Sequence, residues 1–565
     1  MTALIPVPLD RRGQDPRLAT PGWSPTRRWL QVRRKLIFLV PVNVFLAVWY
    51  FSWLLRPQRV GNPVLYGLLV AAEVFNLVQG GGFWWTSLRA RRPAETPPVE
   101  DPDLMVDVLI PTYNEPVAVV ETTVAAAVAM RGVGARVTVC DDGDRQEMAA
   151  MAHRHGAGYL CRPVREGAKA GNLNYALGRT EAPYVVVLDC DHVPDVRLLE
   201  ATMGHFSDPE VALVQTPQYY ANAGSNPIAA AAWSQQALFF GVIARGKDGL
   251  GSMFCCGTNM VLRRAALDAV GGFPEDSVTE DFKLSIRLHE QGWRSVYVPE
   301  VLARGLGPED MASYVSQQYR WARGCLLGLG TALGARLPLR RRLQYLLSSL
   351  FFLSGWAYLI YLVFPVARIF GGEQPLASAT ASQFLLHFAP YLGGSLLAVA
   401  IAGDGAYTFA AFALQTASFW IHLRAGAAVV LRRRGRFVVT PKEGESGRQP
   451  RAVLPALAVI GVLLAAVAYG LARSQSPATL NNVAFAGLHI GVLLMGVWPA
   501  LVGFPAASRE VDPPATAAWV GLPAGSSGMD VPAAAAEVVG SVLYIELPQG
   551  VPVASGAAAL PASSE

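Results

Sequence analysis

Apolar residues fall in long blocks toward both ends of this chain and in short runs through its middle. Blocks at 36–55 and 63–86 each approach the ~20 apolar residues that carry a helix across a bilayer. Further blocks at 344–367, 384–402, 453–472 and 481–504 bring the expected spans to about six. The run at 407–431 differs, because it contains Gln415, His422 and Arg424, which are costly at the bilayer centre. It leads into Arg432, Arg433, Arg434 and Arg436, so it is expected to lie along the interface as a helix. Between 100 and 335 the pattern changes. Short β-rich runs at 106–110, 136–140 and 184–188 alternate with helical stretches such as the Ala-rich 117–130. This alternation predicts an open, mainly parallel α/β sheet, Rossmann-like, with ligands at the carboxyl ends of its strands.

The chain therefore divides into a basic segment (1–35), two membrane helices (36–88), a central domain (100–335), two more helices (340–404), an interfacial helix and loop (405–450), a last pair (452–505) and a tail (506–565). The tail is rich in Ala, Pro, Gly and Ser and is expected to be disordered, with one short strand at 539–547. Only 16% of residues are charged. A soluble protein carries about 25%, so part of this chain belongs in lipid. The net charge of +5 comes largely from clusters such as Arg27, Arg28, Arg33, Arg34 and Lys35 before the first span, and Arg89, Arg91 and Arg92 after the second. Such clusters mark cytoplasmic flanks, so both termini and the central domain are expected on the cytoplasmic side of the membrane. Basic and aromatic residues are not interleaved on a soluble module, so nucleic acid is not an expected partner. The six cysteines lie in the central domain without a C-x-x-C pair, and read as reduced thiols rather than a disulfide framework or zinc site. The first 30 residues do not resemble a secretory signal, so the first span is expected to remain as an anchor.

The sharpest chemical signal is an apolar strand ending in Asp189-Cys190-Asp191. Two carboxylates leaving a strand suit Mg²⁺ or Mn²⁺ bound together with substrate phosphates, although strand ends also carry Asp simply to make turns. Asp141-Asp142-Gly143 follows another strand, and Asp-Gly is by itself a turn dipeptide. Thr112-Tyr113-Asn114-Glu115 follows the first strand, where Asn114 could equally cap a helix. Lys169 precedes Ala170-Gly171-Asn172 at a helix start, as a phosphate partner or a surface lysine. Thr279-Glu280-Asp281 opens an amphipathic helix, a position that favours a cap and acids in any protein. Gln317-x-x-Arg320-Trp321 sets a flat ring among polar donors, though a lone Trp is more often core.

Taken as an ordered set, these residues resemble the glycosyltransferase family 2 pattern, specifically its cellulose synthase-like branch. The D-D-G, D-x-D, T-E-D and Q-x-x-R-W motifs occur in that order, and Phe437-Val438-Val439-Thr440-Pro441-Lys442 matches the branch's F-x-V-T-x-K gating loop. The resemblance covers about 35–505. It implies an α/β domain of the glycosyltransferase A type set among membrane helices, which polymerises a nucleotide-sugar and extrudes the product. It further implies that Thr112, Tyr113, Glu115 and Asp142 contact the nucleotide, Lys169 the diphosphate, and Asp189 and Asp191 a Mg²⁺ or Mn²⁺ ion, with His192 nearby. Asp281, supported by Thr279 and Glu280, would be the general base of an inverting transfer. Gln317 and Arg320 would hold donor phosphates or the acceptor end. Trp321 and Cys256 would meet the acceptor, and Phe437, Val439, Thr440 and Lys442 would close over the donor. Where the branch carries a second aromatic before Cys256, this chain has Cys255. The implied partners are a UDP-sugar, UDP-glucose for a β-1,4-glucan first among them, the growing polysaccharide, the bilayer and an accessory synthase subunit; no cyclic-dinucleotide-sensing PilZ domain is expected in the chain. Hyaluronan, chitin, β-1,3-glucan or mannan synthesis, and single-sugar transfer to a lipid, are the alternatives.

Overall fold

A computed structural model describes residues 26–91, 95–99, 101, 103–432 and 447–504. The gating-loop motif (Phe437, Val439, Thr440, Lys442) and the 506–565 tail lie outside the described residues. Ten strands form in the central domain: β1 Met105–Thr112, β2 Gly134–Asp141, β3 Gly158–Leu160, β4 Tyr184–Val187, β5 Val193–Pro194, β6 Val211–Gln215, β7 Tyr219–Tyr220, β8 Met260–Arg263, β9 Arg294–Tyr297 and β10 Ala303–Gly305. Seven make one sheet in the order β3-β2-β1-β4-β8-β6-β9, and β5-β10-β7 make a small second one. Pairing in the large sheet is parallel except on both sides of β8. The mostly parallel sheet expected from the sequence is therefore present, with one reversed strand inside it.

Its strands are buried on both faces, which explains their continuous apolar runs. Along β1, Val106, Val108 and Ile110 enter one core while Leu109 enters the other. Along β4, Val186 enters the first core and Val185 and Val187 the second. Val120, Val124, Met148 and Met151 cover the first face, from helices Val117–Val128 and Gln146–Arg154. Ala170, Leu173, Leu284 and Leu288 cover the second, from helices Ala168–Leu177 and Glu280–Glu290. Helices on both faces leave only the strand ends free to receive a ligand.

Among the described residues, seven helices are long and apolar enough to cross a membrane. Six coincide with the predicted blocks: Gln31–Leu54, Pro63–Leu88, Leu339–Gly371, Ala381–Ala402, Pro450–Arg473 and Pro477–Val502. The seventh, Pro227–Gly249, lies between β7 and β8, and 56% of its apolar window is buried against the rest of the protein. That burial meets the need of its apolar residues without lipid. The 407–431 run forms two short helices, Phe409–Ala417 and Phe419–Val430, neither long enough to span alone.

Candidate active site

The carboxyl ends of β1, β2 and β4 bring the first three motifs together. Asp142 follows β2, and its N–H donates to the Thr112 carbonyl at the end of β1 (2.9 Å). Glu115 turns back on this end, accepting from Thr112 Oγ1 and from the Tyr113 N–H, each at 2.8 Å. Both oxygens of Asp142 accept from Arg162 (2.7 and 2.8 Å), a buried bidentate pair. Arg145 bridges the neighbouring strands, donating to Asp141 (2.9 Å) and Thr112 (3.0 Å). Neither arginine was singled out by sequence. Arg145 follows the Asp-Asp-Gly motif closely, but Arg162 lies twenty residues beyond Asp142 with nothing local to mark it.

At the end of β4, Asp189, Asp191 and His192 present ligand atoms within 4.8 Å of one another. The His192 N–H donates to the Asp189 carbonyl (2.9 Å), closing a tight turn. The small sheet then fixes the imidazole. β5 starts at the next residue and pairs with β10, whose Gly305 faces the ring; a Cβ there would stand 2.3 Å from it. His192 Nε2 is buried with no hydrogen-bond partner, so the fold leaves this polar atom unused. Two carboxylates beside an under-used imidazole fit a divalent cation.

Lys169, in the first turn of its helix, donates to Asp189 and to the Gly257 carbonyl (2.7 Å). Asp189 is also held by the turn that leads into β8, since its N–H donates to Thr258 Oγ1 (2.8 Å). Gly257 is the pivot of the site. Its φ is +84°, and a Cβ there would stand 3.2 Å from Asp281 Oδ2. The Asp281 carboxylate thus lies beside the peptide that Lys169 grips. Burial alone would lower the Lys169 pKa, but Asp189, Glu280 and Asp281 together raise it, so the ammonium stays charged. Burial alone would raise the Asp189 pKa, and Lys169 with His192 reverses that and holds it low. Asp281 is pushed the other way, up to about 7, first by burial and then by repulsion from Glu280, against the pull of Lys169 and Arg320. Burial likewise raises Glu280. Both side chains are only half-buried at their surface although protein atoms crowd around them, so water still reaches them.

The helix Met311–Gly334 completes one wall. Gln317, Trp321, Gly324 and Gly328 recur at helical spacing and share a face. Gly324 packs on Thr279 and Gly328 on Phe282, where a Cβ would collide at 2.1 and 2.8 Å. This contact sets the T-E-D and Q-x-x-R-W motifs side by side. Gln317 Nε2 reaches the Tyr220 hydroxyl (3.4 Å), its Oε1 is buried without a partner, and Trp321 is half-buried. Cys256 donates its N–H to Gln215 Oε1 (2.9 Å) and is half-buried, whereas Cys255 is core. Its N–H donates to Ser285 Oγ (2.7 Å), one turn beyond Asp281. All six cysteines are free thiols.

Residues 184–413 match the model for Glycosyl transferase family group 2. The chain is 33% identical over 430 residues to cellulose synthase 1 of Komagataeibacter xylinus, covering 73% of this chain and 28% of that protein. It is 35% identical over 345 residues to the cellulose synthase catalytic subunit of Xanthomonas axonopodis pv. citri, covering 57% of this chain and 46% of that one. The chain thus spans less than half the length of these two relatives. Among solved structures, the mannosyltransferase PcManGT from Pyrobaculum calidifontis, in complex with GDP-Man and Mn²⁺, superposes with a TM-score of 0.51 at 18% identity, over 66% of this chain and 100% of that one. That likeness places the central domain in the glycosyltransferase A fold. With its strand-end carboxylates, its mostly parallel sheet and its apolar helices, the chain carries a family group 2 glycosyltransferase domain and resembles the catalytic subunits of bacterial cellulose synthases.

Proposed function

We propose that this chain is an inverting, processive glycosyltransferase that polymerises a UDP-sugar, UDP-glucose foremost, into a β-linked glycan and extrudes it across the inner membrane, with its catalytic domain and both termini cytoplasmic. The observation that carries this reading is the convergence of Lys169, Asp189 and Asp281 around the Gly257 peptide. The similarity to cellulose synthases supports the product class, and the Mn²⁺ bound by the mannosyltransferase of like fold supports the cation.

In this reading Asp189, Asp191 and His192 would hold a Mn²⁺ or Mg²⁺ ion, whose charge would offset that of the diphosphate as it leaves. Lys169 pairs with the same phosphates as a fixed point charge. The pocket built by Thr112, Tyr113, Glu115 and Asp142 takes the nucleotide, with Arg162 holding Asp142 in place. Asp281 accepts the proton of the acceptor hydroxyl as that oxygen bonds to the anomeric carbon and the bond to the UDP oxygen breaks. A carboxylate with a raised pKa is the better base for this step. Gln317 and Arg320 line the donor or acceptor end, Trp321 stacks on the terminal sugar, and Cys256 lies at the entrance to the path outward. Closure of the loop bearing Phe437, Val439, Thr440 and Lys442 keeps water from the donor.

The test is direct. Detergent-purified protein given labelled UDP-glucose with Mn²⁺ or Mg²⁺ is expected to form insoluble, cellulase-sensitive polymer. Polymer from a different donor of the panel moves the assignment to another β-glycan. Lipid-soluble product, or no turnover with any UDP-sugar, overturns the polymerase reading.

A further inference from the structure

Away from the strand ends, two recesses adjoin where the membrane helices meet the central domain. One, of about 440 Å³, is lined by Arg33, Arg89 and Arg91 together with Leu88 and Gly249. The other, of about 430 Å³, contains Arg91, Arg245, Arg340 and Arg341. Arg33 stands near the start of the apolar helix Gln31–Leu54, Arg89 caps the end of Pro63–Leu88, and Arg340 and Arg341 open Leu339–Gly371. Three spans that enter and leave the membrane thus place their arginines at one level.

The second recess is built rather than incidental. Arg341 is 9% exposed, and its Nε is buried without a hydrogen-bond partner. Its other contacts, to the carbonyls of His289 and Trp293, are long at 3.4 and 3.5 Å. Gly251, at φ +63°, leaves room for Arg340 and Arg341: their nearest Nη atoms would lie 3.9 and 3.5 Å from a Cβ there. Three acids, Asp208, Asp248 and Glu300, also line this recess, and Asp248 feels the charge of Arg91 without an ion pair to it. Asp208 pairs with Arg294, Asp248 accepts the Tyr297 N–H (2.9 Å), and Glu300 is exposed. Among the described residues, no carboxylate pairs with Arg33, Arg89, Arg91, Arg340 or Arg341. Guanidinium groups in such a setting match phosphate oxygens in charge and fork geometry.

We propose that these two recesses form a binding site for the phosphate headgroup of an anionic phospholipid, joining the cytoplasmic ends of the spans to the catalytic domain. The inference rests on the membrane-embedded reading above but not on sugar transfer. Headgroup phosphates of the cytoplasmic leaflet lie at the level where spans end, and basic pockets between helices are suited to them.

The full chain is reconstituted in nanodiscs of phosphatidylcholine with a known share of phosphatidylglycerol, then extracted in neutral detergent, and retained lipid is counted by native mass spectrometry. Phosphatidylglycerol is expected to be enriched over the starting mixture, and millimolar inorganic phosphate is expected not to remove it. Replacing Arg89, Arg91 and Arg340 together with Gln is expected to lower the enrichment by about tenfold or more, since each basic residue near the surface contributes about a further step in anionic-lipid affinity. Equal retention of both lipids overturns the site. Displacement by inorganic phosphate overturns the lipid as its occupant. Unchanged enrichment in the triple variant, or in the Arg89→Gln/Arg91→Gln double variant should the triple variant misfold, removes these arginines from it. UDP-sugar turnover is not read, so a failure here is distinct from a failure of the polymerase reading.

Discussion

In the proposed mechanism Asp189 and Asp281, linked through Lys169 and the Gly257 peptide, have opposite tasks. A metal ligand must stay ionised, and Lys169 with His192 holds the Asp189 pKa low. A base must be able to take a proton, and burial with Glu280 pushes Asp281 up to about 7. The charged groups facing Asp281 are Glu280, Lys169 and Arg320, and the nearby Cys256 and Cys325 thiols are themselves raised by burial and stay neutral. Transfer by Asp281 needs its deprotonated form, so kcat/KM is expected to rise with pH through about 7 and then level off. Stability runs the other way. The folded state binds the Asp281 proton more tightly than the unfolded chain, so its contribution falls as pH rises from the ordinary carboxylate range to about 7, and is constant above. Asp281→Asn removes the base and this ionisation cost together. The variant is expected to lose transfer by about 10²- to 10⁴-fold, keep UDP affinity, and melt no lower than wild type at pH 8. An equal loss of UDP affinity, measured by calorimetry, would remove Asp281 from the role of base and place it among the donor contacts.

The helix Met311–Gly334 does at the scale of an element what Gly257 does at the scale of a residue. Its glycine face brings its backbone close to Thr279 and Phe282, and the same face carries Trp321 and Gln317 about one and two turns before Gly324. The spacing between the T-E-D and Q-x-x-R-W motifs is therefore set in part by small residues, beside the charge interaction of Arg320 with Glu280 and Asp281. Gly324→Val places a branched side chain where 2.1 Å is available, and overpacking of this kind costs about 1–3 kcal/mol. The variant is expected to keep donor binding while polymer elongation falls by more than tenfold. Unchanged chain length, measured by product sizing, would show that this wall does not seat the acceptor. Such contacts explain what the sequence did and did not show. Asp142 and Asp189 were visible because each follows an apolar strand within a residue or two, and Asp281 because it opens an amphipathic helix. Arg162 was not, because a buried partner twenty residues away leaves no local pattern, and the roles of Gly257 and Gly305 exist only once another element packs against them.

Across the whole molecule, hydrophobicity alone located six of the seven long apolar helices, since a span must satisfy its length locally. It did not single out Pro227–Gly249, whose apolar residues are interrupted by Arg245 and Lys247 and largely meet protein. Sheet order was equally out of reach, because the reversed strand β8 and the edge strand β9 are fixed by pairing between distant segments. Orientation ties the site to the bundle. Arg33, Arg89 and Arg340 lie at the end of their helices that adjoins the central domain, and in the proposed orientation, which follows the positive-inside bias, that end faces the cytoplasm and its nucleotide-sugars. A glycan made there must cross about 30 Å of hydrocarbon, and its hydroxyls need partners on the way, so synthesis coupled to passage through the same chain solves both needs. In sealed vesicles, a molecule with its catalytic domain outward is then expected to take UDP-glucose from the external buffer and deliver polymer to the lumen. Labelled product is expected to resist external glucanase until detergent is added, while external protease stops synthesis at once. Product digested without detergent would mean that the sugar chain is released on the side where it is made, and the membrane helices would then serve as an anchor without a path for the glycan.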